Sequence, residues 1–166
     1  MIVKLIYGTE TGFTHQIGED IIRHLNPEIH HLIKVDETEE TDWKADLLIL
    51  GAPTWFDGEM SDDWNDFYNS FKEIDFTGQT VAIYGLGDQV GYGKNFVDGL
   101  GLLARPVLEA GGRVIGYTST DGFKFEESNG LVNDNTFYGM AIDEDNEPTK
   151  SPWRIMDWVK QLKEEL

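Results

Sequence analysis

A short loop rich in glycine and threonine, Gly8-Thr9-Glu10-Thr11-Gly12-Phe13-Thr14, separates two segments of different periodicity. Before it runs Ile2-Val3-Lys4-Leu5-Ile6-Tyr7, a mostly apolar stretch that reads as a buried strand. After it, Ile17, Ile21 and Leu25 recur at helical spacing and mark one face of a helix. A strand, a tight loop and a helix N-terminus in direct succession form an anion site. Backbone N–H groups of the first helical turn have no intrahelical partner, and the helix dipole favours negative charge there. The threonines add hydroxyl donors, and the loop contains no Lys or Arg. A Walker A loop needs Gly-Lys-Ser/Thr at its end, and a dinucleotide fingerprint needs G-x-G-x-x-G after the first strand. Both patterns are missing here. What remains is a site for one terminal phosphate, held by neutral donors, that stays attached and does not react.

The rest of the chain repeats the strand–helix alternation. His31-Leu32-Ile33-Lys34-Val35 is a short candidate strand, and Leu47-Leu48-Ile49-Leu50-Gly51-Ala52 is a continuous apolar run suited to a central parallel strand. Val81-Ala82-Ile83-Tyr84-Gly85 and Val114-Ile115-Gly116-Tyr117 supply a fourth and a fifth. Ser61 is placed to cap a helix with Asp62 and Asp63 in its first turn and a core stripe of Trp64, Phe67, Tyr68 and Phe71. A further helix is expected from Phe96 to Ala110, kinked at Pro106. Ser151-Pro152 opens the last helix, with Ile155, Val159, Leu162 and Leu166 facing the sheet. Such a succession predicts an α/β fold, a doubly wound five-stranded parallel sheet in one domain spanning residues 1–166. From Ser119 to Tyr138 the chain turns polar, with Asn129-Gly130 as a turn signal, before Met140-Ala141-Ile142 resumes. This segment reads as a loop of roughly 20 residues inserted into the edge strand, long enough to suggest function or partner contact.

Composition narrows the chemistry. There is no cysteine, so disulfides, thiolate metal sites and a Cys nucleophile are excluded. The four histidines do not form a metal-ligating set: His30 and His31 are adjacent on a strand and point to opposite faces. No apolar run approaches the roughly 18 residues of a membrane span, and no basic segment followed by a long apolar stretch marks an export signal, so a cytoplasmic protein is expected. A formal net charge of −18 disfavours nucleic acid and anionic membranes and favours basic partners.

In a sheet of this kind the ligand lies beyond the C-terminal ends of the strands. Three loops meet there: the phosphate loop, then Pro53-Thr54-Trp55-Phe56-Asp57-Gly58-Glu59, then Leu86-Gly87-Asp88-Gln89-Val90-Gly91-Tyr92. A loop tryptophan alone is more often a surface anchor. Trp55 and Tyr92 converging beside a phosphate site instead suggest a sandwich around a flat ring system.

These three loops, with Thr120-Asp121-Gly122-Phe123 and Ala141-Ile142-Asp143-Glu144-Asp145, occur in an order and at spacings that resemble the flavodoxin family, specifically its long-chain subgroup. The resemblance covers essentially the whole chain. It implies strand order 2-1-3-4-5, of which flavodoxins are a standard example, with the insertion in the last strand. It also implies non-covalent FMN. The phosphate would lie on Thr9, Glu10, Thr11, Gly12, Phe13 and Thr14, with Thr54 near the phosphate or ribityl chain. Trp55 and Tyr92 would flank the ring, Asp88 would meet its pyrimidine edge, and Asp145 would lie near the ribityl end. Pro53, Phe56, Asp57, Gly58, Leu86 and Gly87 would complete the surroundings. The sequence departs from the family at His15, where an acidic or small polar residue is usual, and at Phe56. The resemblance implies a turning-over of the Phe56–Asp57 peptide on reduction. A glycine tolerates positive φ, whereas Phe56 is expected to resist it.

The function implied is a low-potential one-electron carrier and monomer, meeting basic redox proteins such as a ferredoxin/flavodoxin-NADP reductase and acceptor oxidoreductases. No candidate nucleophile has an adjacent base, which favours a carrier over an enzyme. A flavin-dependent quinone or NAD(P)H oxidoreductase on the same fold and a non-redox FMN-binding module remain alternatives. A receiver-type signalling domain needs a phosphorylatable Asp at a strand end, where strand three instead closes with Gly51-Ala52-Pro53.

Overall fold

The computed structural model describes residues 1–166. Strand β1 (Ile2–Tyr7) leads into α1 (Phe13–Leu25), followed by β2 (Ile29–Lys34), β3 (Leu47–Pro53), α2 (Asp62–Phe71), β4 (Thr80–Leu86) and α3 (Asp98–Glu109). The chain continues through β5 (Arg113–Ile115), the short strands β6 (Thr118–Ser119), β7 (Leu131–Asn133) and β8 (Thr136–Phe137), then β9 (Met140–Ile142) and α4 (Ser151–Glu165). The main sheet has the order β2-β1-β3-β4-β5, with every pairing parallel.

Both faces of the sheet are covered, which is why β3 is apolar at every position and buried throughout. Because side chains alternate along a strand, Val3, Leu5, Leu47 and Ile49 pack with Ile17, Ile21, Trp158, Val159 and Leu162 of α1 and α4. Ile6, Leu48, Leu50, Val81 and Ile83 face the opposite way, toward Trp64, Phe71, Leu100, Leu103 and Val107 of α2 and α3. Ile155, Val159 and Leu162 are buried as the spacing predicts, but Leu166 is exposed at the chain end.

The last strand position is divided. Residues 113–115 pair with Thr80–Ala82 at the start of β4, and β9 pairs with Tyr84–Leu86 at its end. The insertion between them is not the structureless loop that its polarity suggests. It folds as a three-stranded antiparallel sheet, β6-β8-β7, because Phe123, Phe125 and Phe137 gather around Phe96 at centroid distances of 5.3, 5.5 and 5.9 Å. At its other side Arg154 of α4 lies over the Phe123 ring and donates to Glu147.

Helix α3 starts at Asp98 rather than Phe96, and Pro106 does not end it. The proline ring removes the N–H that would reach the Leu102 carbonyl. The Tyr68 hydroxyl of α2 donates to that carbonyl at 2.8 Å, so the freed acceptor is satisfied from a neighbouring helix. Strand β2 starts two residues earlier than its apolar pattern indicates, since it is an edge strand with an exposed Ile29-His30-His31 start. No helix is long and apolar enough to cross a membrane.

Candidate functional site

The C-terminal ends of β1, β3, β4 and β9 open into one cavity. It is lined by Thr9, Glu10, Thr11, Phe13 and Thr14 from the first loop and by Pro53, Thr54 and Trp55 from the second. Leu86, Gly87, Asp88 and Tyr92 come from the third, and Glu144 and Asp145 follow β9. The expected loops therefore converge. Glu144, part of the motif that follows the insertion but given no role there, also lines the cavity. Gly12, Phe56, Asp57 and Gly58 are not in the lining. Gly12 shapes the loop instead, at φ 92°. Phe56 and Asp57 line a separate groove on the other side of Tyr92, with Val90, Gly91 and Lys94. Gly58 is turned toward α3: a Cβ there would stand 2.5 Å from the Asp98 carboxyl.

The phosphate loop spends few of its donors internally. Gly12 N–H donates to Thr9 Oγ1 at 2.9 Å, and Thr9 N–H donates to Asp63 Oδ2 at 3.1 Å. The N–H groups of Glu10, Thr11, Phe13 and Thr14 make no hydrogen bond within the chain. Helix α1 has no side-chain cap and no acidic residue in its first turn, so its positive end stays open to a ligand. Beneath the loop, Tyr84 in the middle of β4 donates its hydroxyl to the Thr14 carbonyl at 2.7 Å. Burial pushes the Tyr84 hydroxyl well above its ordinary pKa, so it remains a donor. Gly51 and Gly18 make room for that ring; a Cβ on Gly51 would lie 2.1 Å from it.

Ser61 is buried and extended at the start of α2, but its hydroxyl does not cap the helix and has no hydrogen-bond partner. The capping role passes to two carboxylates: Glu10 of the phosphate loop accepts from Asp62 N–H at 3.1 Å, and Asp63 accepts from Trp64 N–H at 2.8 Å. The stripe residues Trp64 and Phe71 are core, as expected, and Trp64 Nε1 donates to the Gly51 carbonyl at 2.9 Å.

The second loop is a tight reversal. Gly58 and Glu59 N–H groups both donate to the Trp55 carbonyl, and Trp55 N–H donates to the Glu59 carbonyl at 2.7 Å. Phe56 adopts φ 43°, so its bulk does not keep it out of the left-handed region. Its ring meets the Tyr92 ring edge to face at a centroid distance of 6.0 Å and is otherwise 64% exposed. Thr54 is buried and its hydroxyl oxygen accepts from Gly99 N–H at 3.0 Å, which ties the loop to the first turn of α3. The Trp55 indole N–H is buried without a partner.

The third loop and the end of β9 form a carboxylate-rich rim. Asp143 is fully buried and accepts from Gln89 and Asn146. Asp88 is partly buried, which opposes its ionisation, but hydrogen bonds from Gly91, Asn146 and Val90 outweigh this and hold it below the usual range. Partial burial, then Asp88, Asp143 and Glu144, push Asp145 the other way, above it. His15 lies outside the cavity, 3.8 Å from Glu19 and with its ring 5.0 Å from that of Tyr7.

The flavodoxin family model matches residues 5–158. A flavodoxin of a Nostoc species is 42% identical over 165 residues, covering 99% of this chain and 96% of the relative. Flavodoxin 1 of Escherichia coli is 39% identical over 166 residues, covering 99% and 94%. The crystal structure of Fusobacterium nucleatum flavodoxin bound to flavin mononucleotide superposes with a TM-score of 0.93 at 34% identity, covering 99% of this chain and 98% of that one. With the strand order, the divided fifth strand and the three converging loops in agreement, the chain belongs to the flavodoxin family.

Proposed function

We propose that this cavity holds FMN non-covalently and that the protein carries single electrons between other redox proteins. One observation carries the placement of the cofactor: a cation-free loop with four unpaired backbone N–H groups shares a cavity with Trp55 and Tyr92, rings from two different loops. The residues fit the group. A phosphate monoester needs several donors, and the loop supplies free N–H groups and threonine hydroxyls. The unpartnered indole N–H of Trp55 is a further buried donor in the same lining. A flat ring system needs two apolar faces, which Trp55 and Tyr92 provide.

FMN, once bound, supplies reversible electron transfer, and the protein sets its position and surroundings. Thr9 to Thr14 anchor the phosphate end. Thr54, fixed by Gly99, sets how far the Trp55 loop stands from α3. Asp88, Glu144 and Asp145 place carboxylates in the lining, and negative charge there opposes the build-up of further negative charge on a ligand. This favours a low potential for the fully reduced form.

Exposed acids Asp57, Glu59 and Asp62 beside the Trp55 loop suit docking of basic donors and acceptors, such as a ferredoxin/flavodoxin-NADP reductase. A cytoplasmic location fits such partners. The test is a fluorescence titration of the apoprotein with FMN. Quenching should end at one FMN per chain, and the loaded protein should show no steady-state NAD(P)H oxidation by itself. Absence of stoichiometric quenching would refute FMN binding, and sustained NAD(P)H turnover would favour an enzyme.

A further inference from the structure

The phosphate loop and helix α2 are joined by a reciprocal pair of hydrogen bonds. Asp63 of α2 accepts from the backbone N–H of Thr9, and Glu10 of the loop accepts from the backbone N–H of Asp62. The two segments are far apart in sequence and meet with no space between them. A Cβ on Gly8 would lie 2.3 Å from Trp64, 2.5 Å from Asp63 Oδ1 and 2.6 Å from Ser61 Oγ.

This arrangement runs against simple electrostatics. A loop that binds a phosphate without Lys or Arg would be expected to keep carboxylates away, yet two are placed on it. Their geometry gives the reason. Asp63 removes Thr9 N–H from the donors available to a ligand and fixes the direction in which the loop leaves β1. Glu10 has its carboxylate occupied by the open end of α2, where the helix dipole offsets its charge. With Gly12 N–H bound to Thr9 Oγ1, the loop is closed on itself, and its donors from Glu10 to Thr14 are set before any ligand arrives.

We infer that Asp63, seconded by Glu10, is a positioning residue that preorganises the phosphate loop, so that the site recognises a phosphate monoester through loop geometry and not through charge. This rests on the FMN reading above. Removal of a carboxylate here does two things at once. Loss of negative charge near a phosphate strengthens binding, whereas loss of the hydrogen-bond acceptor loosens the loop and weakens it. Asp63→Asn removes the charge and keeps one acceptor, a carbonyl oxygen for Thr9 N–H, while its NH2 takes the place of the oxygen that accepts from Trp64 N–H. Asp63→Ala removes both.

Affinities for FMN and for riboflavin, which lacks the phosphate, are measured by fluorescence quenching with each apoprotein. Asp63→Asn should bind FMN at least as tightly as the native protein. Asp63→Ala should bind it about tenfold more weakly, a change of about 1.4 kcal/mol, despite losing the same charge. Riboflavin affinity should be the same in all three. Glu10→Gln and Glu10→Ala, at an exposed position, should repeat the contrast on a smaller scale. Asp63→Ala binding FMN as tightly as Asp63→Asn would overturn the inference, as would a parallel loss of riboflavin affinity, which indicates general loosening. If the native protein binds no FMN, the proposed function itself is wrong; if it does and the variants are alike, only the positioning role fails.

Discussion

Phe56 offers a test of the backbone in the proposed binding loop. It stands at φ 43°, a region that costs an L-residue roughly 1–2 kcal/mol and costs glycine nothing. Its ring is 64% exposed and has one aromatic neighbour, Tyr92, so burial offsets little of that cost. Replacing Phe56 by Ala removes an edge-to-face contact worth about 0.5–1.5 kcal/mol and leaves the strain in place. Replacing it by Gly removes the same contact and relieves the strain. In a helix or strand, glycine is worse than alanine by roughly 0.5–1 kcal/mol because it loses more chain entropy on folding. Subtracting mid-range values leaves glycine ahead at position 56 by about 0.7 kcal/mol, the reverse of the usual order. In a chain of 166 residues this corresponds to about 1–3 °C in Tm. Urea and thermal unfolding of the two apoproteins measure the difference. An alanine variant as stable as the glycine variant, or more so, would refute the claim that this loop stores strain at Phe56.

Other consequences are as direct. Trp55→Ala or Tyr92→Ala should each weaken FMN binding by about 1–3 kcal/mol through lost burial and stacking, read by calorimetry, and unchanged affinity in both variants would rule out the sandwich. Tyr68→Phe should destabilise the fold by about 1 kcal/mol because the Leu102 carbonyl loses its donor. In a Pro106→Ala background the cost should shrink, since the alanine N–H can reach that carbonyl, and a double-mutant cycle of urea unfolding reads the coupling. Hydrogen bonding to Lys150, and then Arg154, lowers Glu147 from 4.5 to about 2 against a smaller cost of burial. The folded pKa is the lower one, so the stabilisation is complete above pH 4.5 and is lost as pH falls toward 2, and Glu147→Gln should flatten that part of the stability–pH curve. Asp145 has the opposite sign, and Asp145→Asn should remove a small penalty present above its ordinary range. Charge reversal at Asp57, Glu59 and Asp62 should slow electron exchange with a basic partner and flatten its salt dependence in stopped-flow measurements.

What the sequence revealed and what it hid have separate physical causes. The buried strands were legible because both faces of the sheet are covered, which makes Leu47 to Ala52 apolar without interruption. The turn between β1 and α1 was legible because its residue types are dictated locally, with a glycine at positive φ. The insertion was misread as a loop because its order comes from Phe123, Phe125 and Phe137 meeting Phe96, a residue far away in the chain. Pro106 does not end α3, because the donor that satisfies Leu102 belongs to α2. Within the site, the supporting residues were the hidden ones. Tyr84 looked like another strand residue, and Asp63 like an acid at a helix N-terminus. Only the fold brings their polar atoms under Thr14 and Thr9. Asp143 carried one signal, a carboxylate following an apolar strand, but its partners Gln89 and Asn146 come from different loops.

One cavity, bounded by a cation-free loop and two aromatic rings, is proposed to make this chain a one-electron FMN carrier. A spectroelectrochemical titration of the FMN-loaded protein tests it most directly. One flavin should bind per chain, be released by denaturation and so not be covalent, and take up electrons in two resolved one-electron steps. The second step should lie well below the potential of free FMN, because the carboxylate-rich lining opposes added negative charge. A single unresolved two-electron step at the potential of free FMN, or a flavin that does not bind stoichiometrically, would contradict it.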